Sequence, residues 1–280
     1  MKRSYFLLLF IICGWYSQSS AKIYDCFLFF NELELLTIRL HELYEHVDKF
    51  VIVESAETFR GNPKPFYFDE NKHLFEKFSD KIIHIKVYDC LKTNNPWDRE
   101  IFQRNQIMRG LIACAPDDII LISDADEIIC PFKLLEISET LRKISSNDLP
   151  MLLCYQTMYR YFFNRLDSEY GFWPGTTAIF FKDLEKYSPN VCRNFGQQKL
   201  LTKIENAGWH FTYMGGYKRV IEKLAAFSHA ECDTPGNKDI KNLEKKISTF
   251  TLVEIDNSYP HLIYNNQLEY ISKGFIDVQK

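Results

Sequence analysis

The sequence predicts an α/β fold with a mostly parallel central sheet and helices on both faces. Three observations carry that prediction. Four short apolar runs recur through the first half of the chain; amphipathic stretches separate them; and acidic residues gather where the runs end. Apolar runs of strand length that alternate with helical stretches are the mark of crossover-connected parallel strands.

The first run, IYDCFLFF from Ile23, ends at Asn31-Glu32. Leu33, Leu36, Leu40, Leu43 and Val47 then fall on one helical stripe, which predicts a crossover helix. FVIVES from Phe50 ends at Glu54-Ser55, and IIHIKVYD from Ile82 ends at Tyr88-Asp89. A second helix is expected from about Trp97 to Ala113, with Ile101, Met108, Leu111 and Ile112 on one face and Arg104 and Asn105 in the same arc. DIILISD from Asp118 drives into Asp124-Ala125-Asp126-Glu127.

After Pro150 the pattern changes to aromatic-rich runs, MLLCYQTMYRYFF, TTAIFF and GWHFTYMGG, followed by a helical stretch from Tyr217 to Ala230. These read as antiparallel additions that complete a single domain and line an acceptor site. From Thr234 the chain is polar and weakly periodic and is expected to wrap the surface.

Composition narrows the class. With 280 residues, 46% hydrophobic and 15% aromatic, there is enough apolar surface for a substantial core. A net charge of −3 with dispersed acids and bases lacks the basic stripe of a nucleic-acid binder, so no nucleic-acid partner is expected. Lys2 and Arg3 precede an uncharged run from Tyr5 to Tyr16, and Ser19-Ser20-Ala21 supply small residues. This is the layout of a secretory signal peptide over residues 1–21, or of a short signal anchor, with one domain over 22–280. Any membrane attachment would run through that segment alone. The remaining seven cysteines include no C-x-x-C pair, so they read chiefly as packing residues.

The chemistry is concentrated in DDIILISDADEI. Carboxylates two apart, where a strand unwinds, can turn toward one cation, and hard oxygen ligands suit Mn2+ or Mg2+ with substrate phosphate completing the shell. Three acids within four residues at the binding edge of a parallel sheet outweigh plain capping. An EF-hand is excluded, because its glycine and glutamate positions are Ile129 and Leu135. A haloacid-dehalogenase-like phosphatase also places D-x-D after an apolar strand, usually the first rather than the fourth.

The stretches YDCFLFFNELELLTIRLHEL, FVIVESAETFRGNPKP, PWDREIFQRNQI, DDIILISDADEI, GWHFTYMGG and AAFSHAE occur in that order and resemble glycosyltransferase family 17. The resemblance covers roughly Ile23 to Glu231. It implies a GT-A-like fold and an inverting transferase that moves a sugar, GlcNAc from UDP-GlcNAc in first place, onto a glycan or glycoprotein acceptor with a divalent metal. A non-catalytic glycan-binding relative is the other alternative to a phosphatase. Within this reading Asp124 and Asp126 are the metal residues with His210 as a third ligand, and Glu127 supports them. Arg104 meets the donor diphosphate or orients Asp124, Asn105 and His229 stand near phosphate, and Asn31, Glu32 and Glu54 face the base and ribose. Asp167 and Glu169 are candidates for the general base. The location implied is the secretory pathway, in the Golgi or ER lumen of a eukaryote, or a secreted or envelope-associated site in a bacterium.

Overall fold

A computed structural model describes residues 21–145, 149–196 and 201–278. The expected leader thus lies outside the described residues except for Ala21. All four predicted runs form strands: β1 (Ile23–Leu28), β2 (Lys49–Ser55), β3 (Ile82–Val87) and β4 (Ile119–Asp124). They pair in parallel in the order β4-β1-β2-β3, with Phe27 beside Ile52 and Leu28 beside Asp124. Both faces of this half-sheet are covered, as the continuous apolar runs require. Phe27, Phe50, Ile52, Ile119 and Leu121 pack with the Leu33–Leu43 and Leu134–Ile144 helices. The alternate residues Cys26, Val51, Val53, Ile120 and Ile122 pack on the opposite side with Ile107, Leu111, Leu184 and Cys192.

The remaining strands are β5 (Glu127–Ile129), β6 (Met151–Arg160), β7 (Arg165–Leu166), β8 (Phe172–Phe180), β9 (Thr202–Ile204), β10 (Gly208–Thr212) and β11 (Thr251–Leu252). β8 runs antiparallel to both β4 and β6, so the second half does extend the sheet in antiparallel fashion. β9 and β10 nevertheless pair with β6 in parallel. β10 also pairs antiparallel with β5, which sets His210 opposite Glu127. That approach needs Gly208: at φ +142° it holds a backbone where a Cβ would lie 2.1 Å from the Ile128 carbonyl oxygen.

Two expectations are corrected. The helix opens at Pro96, where Asn95 caps the Trp97 N–H at 3.2 Å, but it is α-helical only to Asn105 and tightens into a 3-10 turn over Gln106–Gly110. The change of pitch rotates the apolar face, burying Ile107 and Leu111 and leaving Ile101 and Ile112 exposed. Gly110 sits so close to β2 that a Cβ would fall 2.4 Å from a Val51 methyl, which anchors this turn against the sheet. The C-terminal stretch also does more than wrap the surface. Tyr259, Ile263, Tyr270, Phe275 and Ile276 enter the main core, and Leu243 and Ile247 form a small cluster with Tyr161, Val220 and Leu224. These apolar residues are spread over several short helices, so no one window of sequence shows their periodicity. All seven cysteines of the described residues are free thiols.

Asp25 and Arg39 form a fully buried ion pair between β1 and its crossover helix, with Arg39 Nη2 2.5 Å from Asp25 Oδ1. Removing one member of such a pair leaves a charge stranded in the core. Arg39→Met is therefore expected to lose about 3–5 kcal/mol of unfolding free energy, checked by denaturant titration.

Candidate active site

β4 ends at Asp124, a two-residue turn of Ala125 and Asp126 follows, and β5 begins at Glu127. Arg39 shapes the turn from below. It donates through Nη1 to the carbonyl oxygens of Asp124 at 2.8 Å and Glu127 at 2.9 Å, and through Nη2 to Ser123 Oγ at 2.6 Å. Glu127 points back inward, where its Oε2 accepts the Asp124 N–H at 3.0 Å. The three acids consequently leave the turn in different directions and meet different partners.

Asp124, with 38% of its side chain exposed, accepts from Arg104 Nη1 at 2.8 Å and from Arg193 Nη2 at 3.1 Å. Glu127, fully buried, accepts from Arg193 Nη2 at 2.5 Å and from Trp173 Nε1 at 2.6 Å. Asp126 accepts from Lys223 Nζ at 2.7 Å on Oδ2, while His210 Nε2 stands 3.6 Å from Oδ1. Arg104 also holds Glu100 at 2.6 Å, and Glu100 in turn accepts from the Ser228 hydroxyl. Burial works to raise the pKa of Asp124, but Arg104 and Arg193 outweigh it and hold the carboxyl well below the usual range. For Asp126 burial is likewise the largest influence, and Lys223 and His210 overcome it in the same direction.

Residues able to hold a cation are thus Asp126 and His210, with Asp124 beside them on the same turn. Among the described residues no group of three or more His, Cys, Asp or Glu side chains is placed to hold a metal ion, so this pair offers two protein ligands and substrate phosphate would have to complete a shell. His210 turns Nε2 toward Asp126, and its Nδ1 is buried without a partner. The four carboxylates Asp124, Asp126, Glu127 and Glu100 face three permanent cations, Arg104, Arg193 and Lys223, leaving one negative charge in excess.

The other sequence candidates fall in distinct places. Asn31 and Glu32 border a small cleft together with Arg219 and Lys223, and Glu32 also accepts the N–H groups of Phe30 and Asn31 at 3.2 and 3.1 Å. Glu54 is a correction. It is completely buried and engaged by Lys64 at 3.2 Å, His84 at 3.1 Å and the Phe68 N–H at 3.2 Å, so it is enclosed by its own loop rather than open to a ribose. Asn105 is engaged elsewhere, its Oδ1 accepting the Asn190 N–H at 3.0 Å. His229 is half-exposed, packed edge-on to Trp97 at 4.6 Å and paired with Glu231 at 2.7 Å.

Asp167 is buried, with Arg160 on one oxygen at 2.6 Å and the Tyr170 N–H on the other at 3.0 Å. It therefore holds its loop, whereas Glu169 on the same turn is exposed. Tyr170 lies 5.6 Å from Trp173, and Trp173 lies 4.9 Å from His210, so this loop borders the acid cluster.

Arg193 and Lys223 were not anticipated from the sequence. Each is a cation placed next to buried apolar residues of an amphipathic helix, Cys192 for the first and Val220 and Leu224 for the second. A charge on a core-facing stripe is the signal that would have pointed to them.

The fold and this edge define an α/β protein with an acid-turn site at the carboxyl end of its parallel strands. The profile of glycosyltransferase family 17 matches residues 8–254, and the chain belongs to that family. A human β-1,4-mannosyl-glycoprotein 4-β-N-acetylglucosaminyltransferase is 31% identical over 106 residues, 35% of this chain and 20% of that protein. The mouse enzyme of the same name is 30% identical over the same length. The match thus spans about a fifth of the curated relatives. Among solved structures, a Pyrobaculum calidifontis mannosyltransferase in complex with GDP-Man and Mn2+ is similar at 12% identity and TM-score 0.45, over 92% of this chain and 74% of that one. Glucosyl-3-phosphoglycerate synthase of Mycobacterium tuberculosis, solved with Mn2+ and UDP-glucose, is similar at 12% identity and TM-score 0.36, over 68% and 72%.

Arg193→Gln leaves Glu127 buried with a missing charge partner and is expected to cost about 1–3 kcal/mol in a denaturant titration. The acid limb of stability carries a second expectation. Since the folded pKa of Asp126 lies below its ordinary value of about 3.9, its stabilising contribution is full above that value. It is lost as pH falls below it toward the folded pKa. Asp126→Asn should therefore show a shallower decline in stability between about pH 4 and pH 2, read by thermal melts across the range.

Proposed function

We propose that this chain is an inverting, metal-dependent glycosyltransferase that moves GlcNAc from UDP-GlcNAc onto a hydroxyl of a glycan or glycoprotein. The observation that carries the reading is the Asp124–Glu127 turn itself. It presents carboxylates, an imidazole and two guanidinium groups at one edge of a parallel sheet, in a chain of glycosyltransferase family 17. The curated relatives are named for transfer of N-acetylglucosamine to a mannosyl-glycoprotein, which supports the choice of sugar and acceptor class. A glycoprotein acceptor would put the reaction in the secretory pathway, the location that the expected leader also implies.

Asp126 and His210 would hold the divalent ion, Mn2+ in first place and Mg2+ as the alternative, with Asp124 adjoining. The ion supplies charge neutralisation on the diphosphate leaving group. Arg104 and Arg193 hold Asp124 ionised and present guanidinium groups of the geometry that suits phosphate oxygens. Asn31 and Glu32, at the end of β1, stand on the side where the nucleoside would lie. Glu169, exposed beside the Tyr170–Trp173 pair, is the candidate to take the proton from the acceptor hydroxyl, and Asp167 positions its loop through Arg160. Trp173 is fixed by its bond to Glu127, which leaves its ring available beside an acceptor sugar.

A phosphatase would require Asp124 as a nucleophile, yet both of its oxygens are engaged by guanidinium groups. Asp126→Ala is expected to fold and to lose transfer activity by roughly a hundredfold or more, the cost of removing a metal ligand. Calorimetric titration of UDP-GlcNAc with Mn2+ and then with EDTA checks the same point. Binding that depends on metal in the parent protein and vanishes in the variant supports the assignment, and full activity in Asp126→Ala overturns it.

A further inference from the structure

The terminal nitrogens of Arg104 serve two carboxylates. Nη1 donates to Asp124 Oδ1 at 2.8 Å, and Nη2 donates to Glu100 Oε1 at 2.6 Å. Glu100 lies one turn before Arg104 on the helix from Pro96, and its other oxygen, Oε2, accepts from the Ser228 hydroxyl. A single run of hydrogen bonds thus joins Ser228, Glu100, Arg104 and Asp124. Ser228 is buried just past the end of the helix Gly216–Ala226, and His229 beside it packs edge-on to Trp97 at 4.6 Å. That corner is therefore seated on the first turn of the Pro96 helix by a ring contact as well as by the hydroxyl.

A Glu–Arg pair one helical turn apart is ordinarily a weak surface contact. This one is drawn inward: the Arg104 side chain is 2% exposed and that of Glu100 20%. Arginine has many rotamers, and a guanidinium free to choose takes both oxygens of one carboxylate in a fork. Here the fork is split. Glu100 holds Nη2, Asp124 receives Nη1 alone, and the second Asp124 oxygen goes to Arg193 Nη2 at 3.1 Å. Arg104 Nε is buried without a partner, so the two terminal nitrogens set the plane of the guanidinium. That plane decides which N–H groups face the partly open side of Asp124, where a diphosphate would arrive.

We propose that Glu100, held in place by Ser228, is a positioning residue for the donor: it keeps Arg104 split between two carboxylates and so aims the guanidinium at the diphosphate of a nucleotide sugar. The proposal rests on the reading of the Asp124 edge as a donor site. It acts through geometry rather than charge. By charge alone Glu100 hinders an anionic donor, and any variant without that carboxylate would bind a diphosphate more tightly. Positioning gives the opposite sign for a side chain that cannot hold Arg104, and little change for one that can.

The test is calorimetric titration of UDP-GlcNAc, and of uridine, which has no phosphate, into the parent, Glu100→Ala, Glu100→Gln and Ser228→Ala, all in one Mn2+ buffer. None of these variants alters Asp124, Asp126 or His210. Glu100→Ala is expected to bind UDP-GlcNAc about fivefold or more weakly than the parent, the loss that follows from giving up a preorganised contact, while its affinity for uridine stays within about twofold. Glu100→Gln, whose amide oxygen still accepts from Arg104, should stay within about twofold of the parent for both ligands. A smaller loss in Glu100→Ala, or tighter binding, overturns the proposal. So does a Glu100→Gln as weak as Glu100→Ala, or an equal loss for uridine, which would mark general damage to the site. Ser228→Ala should lose about threefold or more on UDP-GlcNAc alone; a smaller loss overturns the part given to Ser228 and, should Glu100→Ala not fold, the proposal as a whole. A parent that binds no UDP-GlcNAc brings down the transferase reading itself, whereas a parent that binds it beside an unchanged Glu100→Ala brings down only the positioning role.

Discussion

The site depends on the guanidinium of Arg39. All five of its N–H donors are used: Nε and Nη2 on Asp25, Nη2 also on Ser123, and Nη1 on the carbonyl oxygens of Asp124 and Glu127. One residue of the first crossover helix thereby ties β1 to the far end of β4, and it does so through the carbonyl oxygens of the turn. A turn whose carbonyls were left buried and unpaired would reopen. Phe27 lies against the guanidinium face, 4.1 Å from ring centroid to carbon, and closes the cluster from the core side.

Once the turn is fixed, the direction of each acid is fixed with it. Leu28 and Asp124 are register partners at the ends of β1 and β4, so Asp124 emerges where the parallel sheet stops. Glu127 faces back under it and bonds its N–H, and β10 is brought opposite Glu127 by Gly208, which delivers His210 to the neighbourhood of Asp126. The result is an array of closely spaced charges in which Asp124 and Glu127 share Arg193, Asp124 and Glu100 share Arg104, and Asp126 meets Lys223. Such an array is expensive to desolvate and contributes little net stability. Its retention makes sense as preorganisation, since a charged ligand arriving there meets groups already oriented.

The parallel half of the fold was legible because its strands are buried on both faces and so read as unbroken apolar runs. The acid turn was legible for a related reason, as carboxylates stand out at the end of such a run. Glu54 shows the limit of that logic. It ends β2 just as Asp124 ends β4, yet Lys64, His84 and the Phe68 N–H enclose it, while Asp124 remains partly open. Position at a strand end marks a candidate, but only the covering loop decides whether solvent or ligand reaches it. The helix from Pro96 illustrates a second limit, for it tightens to a 3-10 pitch over Gln106–Gly110, where Gly110 lies close against Val51 of β2, a contact that no local periodicity reveals.

What the sequence by itself determined is the alternation of strand and helix through β4, the antiparallel addition of β8, the acid cluster at the end of β4 and the membership of a transferase family. These are local or periodic properties, written in residues close together along the chain. What only the tertiary structure decided is how the acids are compensated. Arg39 reaches the turn from 85 residues away, Arg193 meets Asp124 across 69, and Lys223 meets Asp126 across 97. A charge has no preferred sequence spacing to its partner; it takes whichever opposite charge the packed elements bring within about 3 Å in a poorly screened interior, and that choice exists only once the chain has folded.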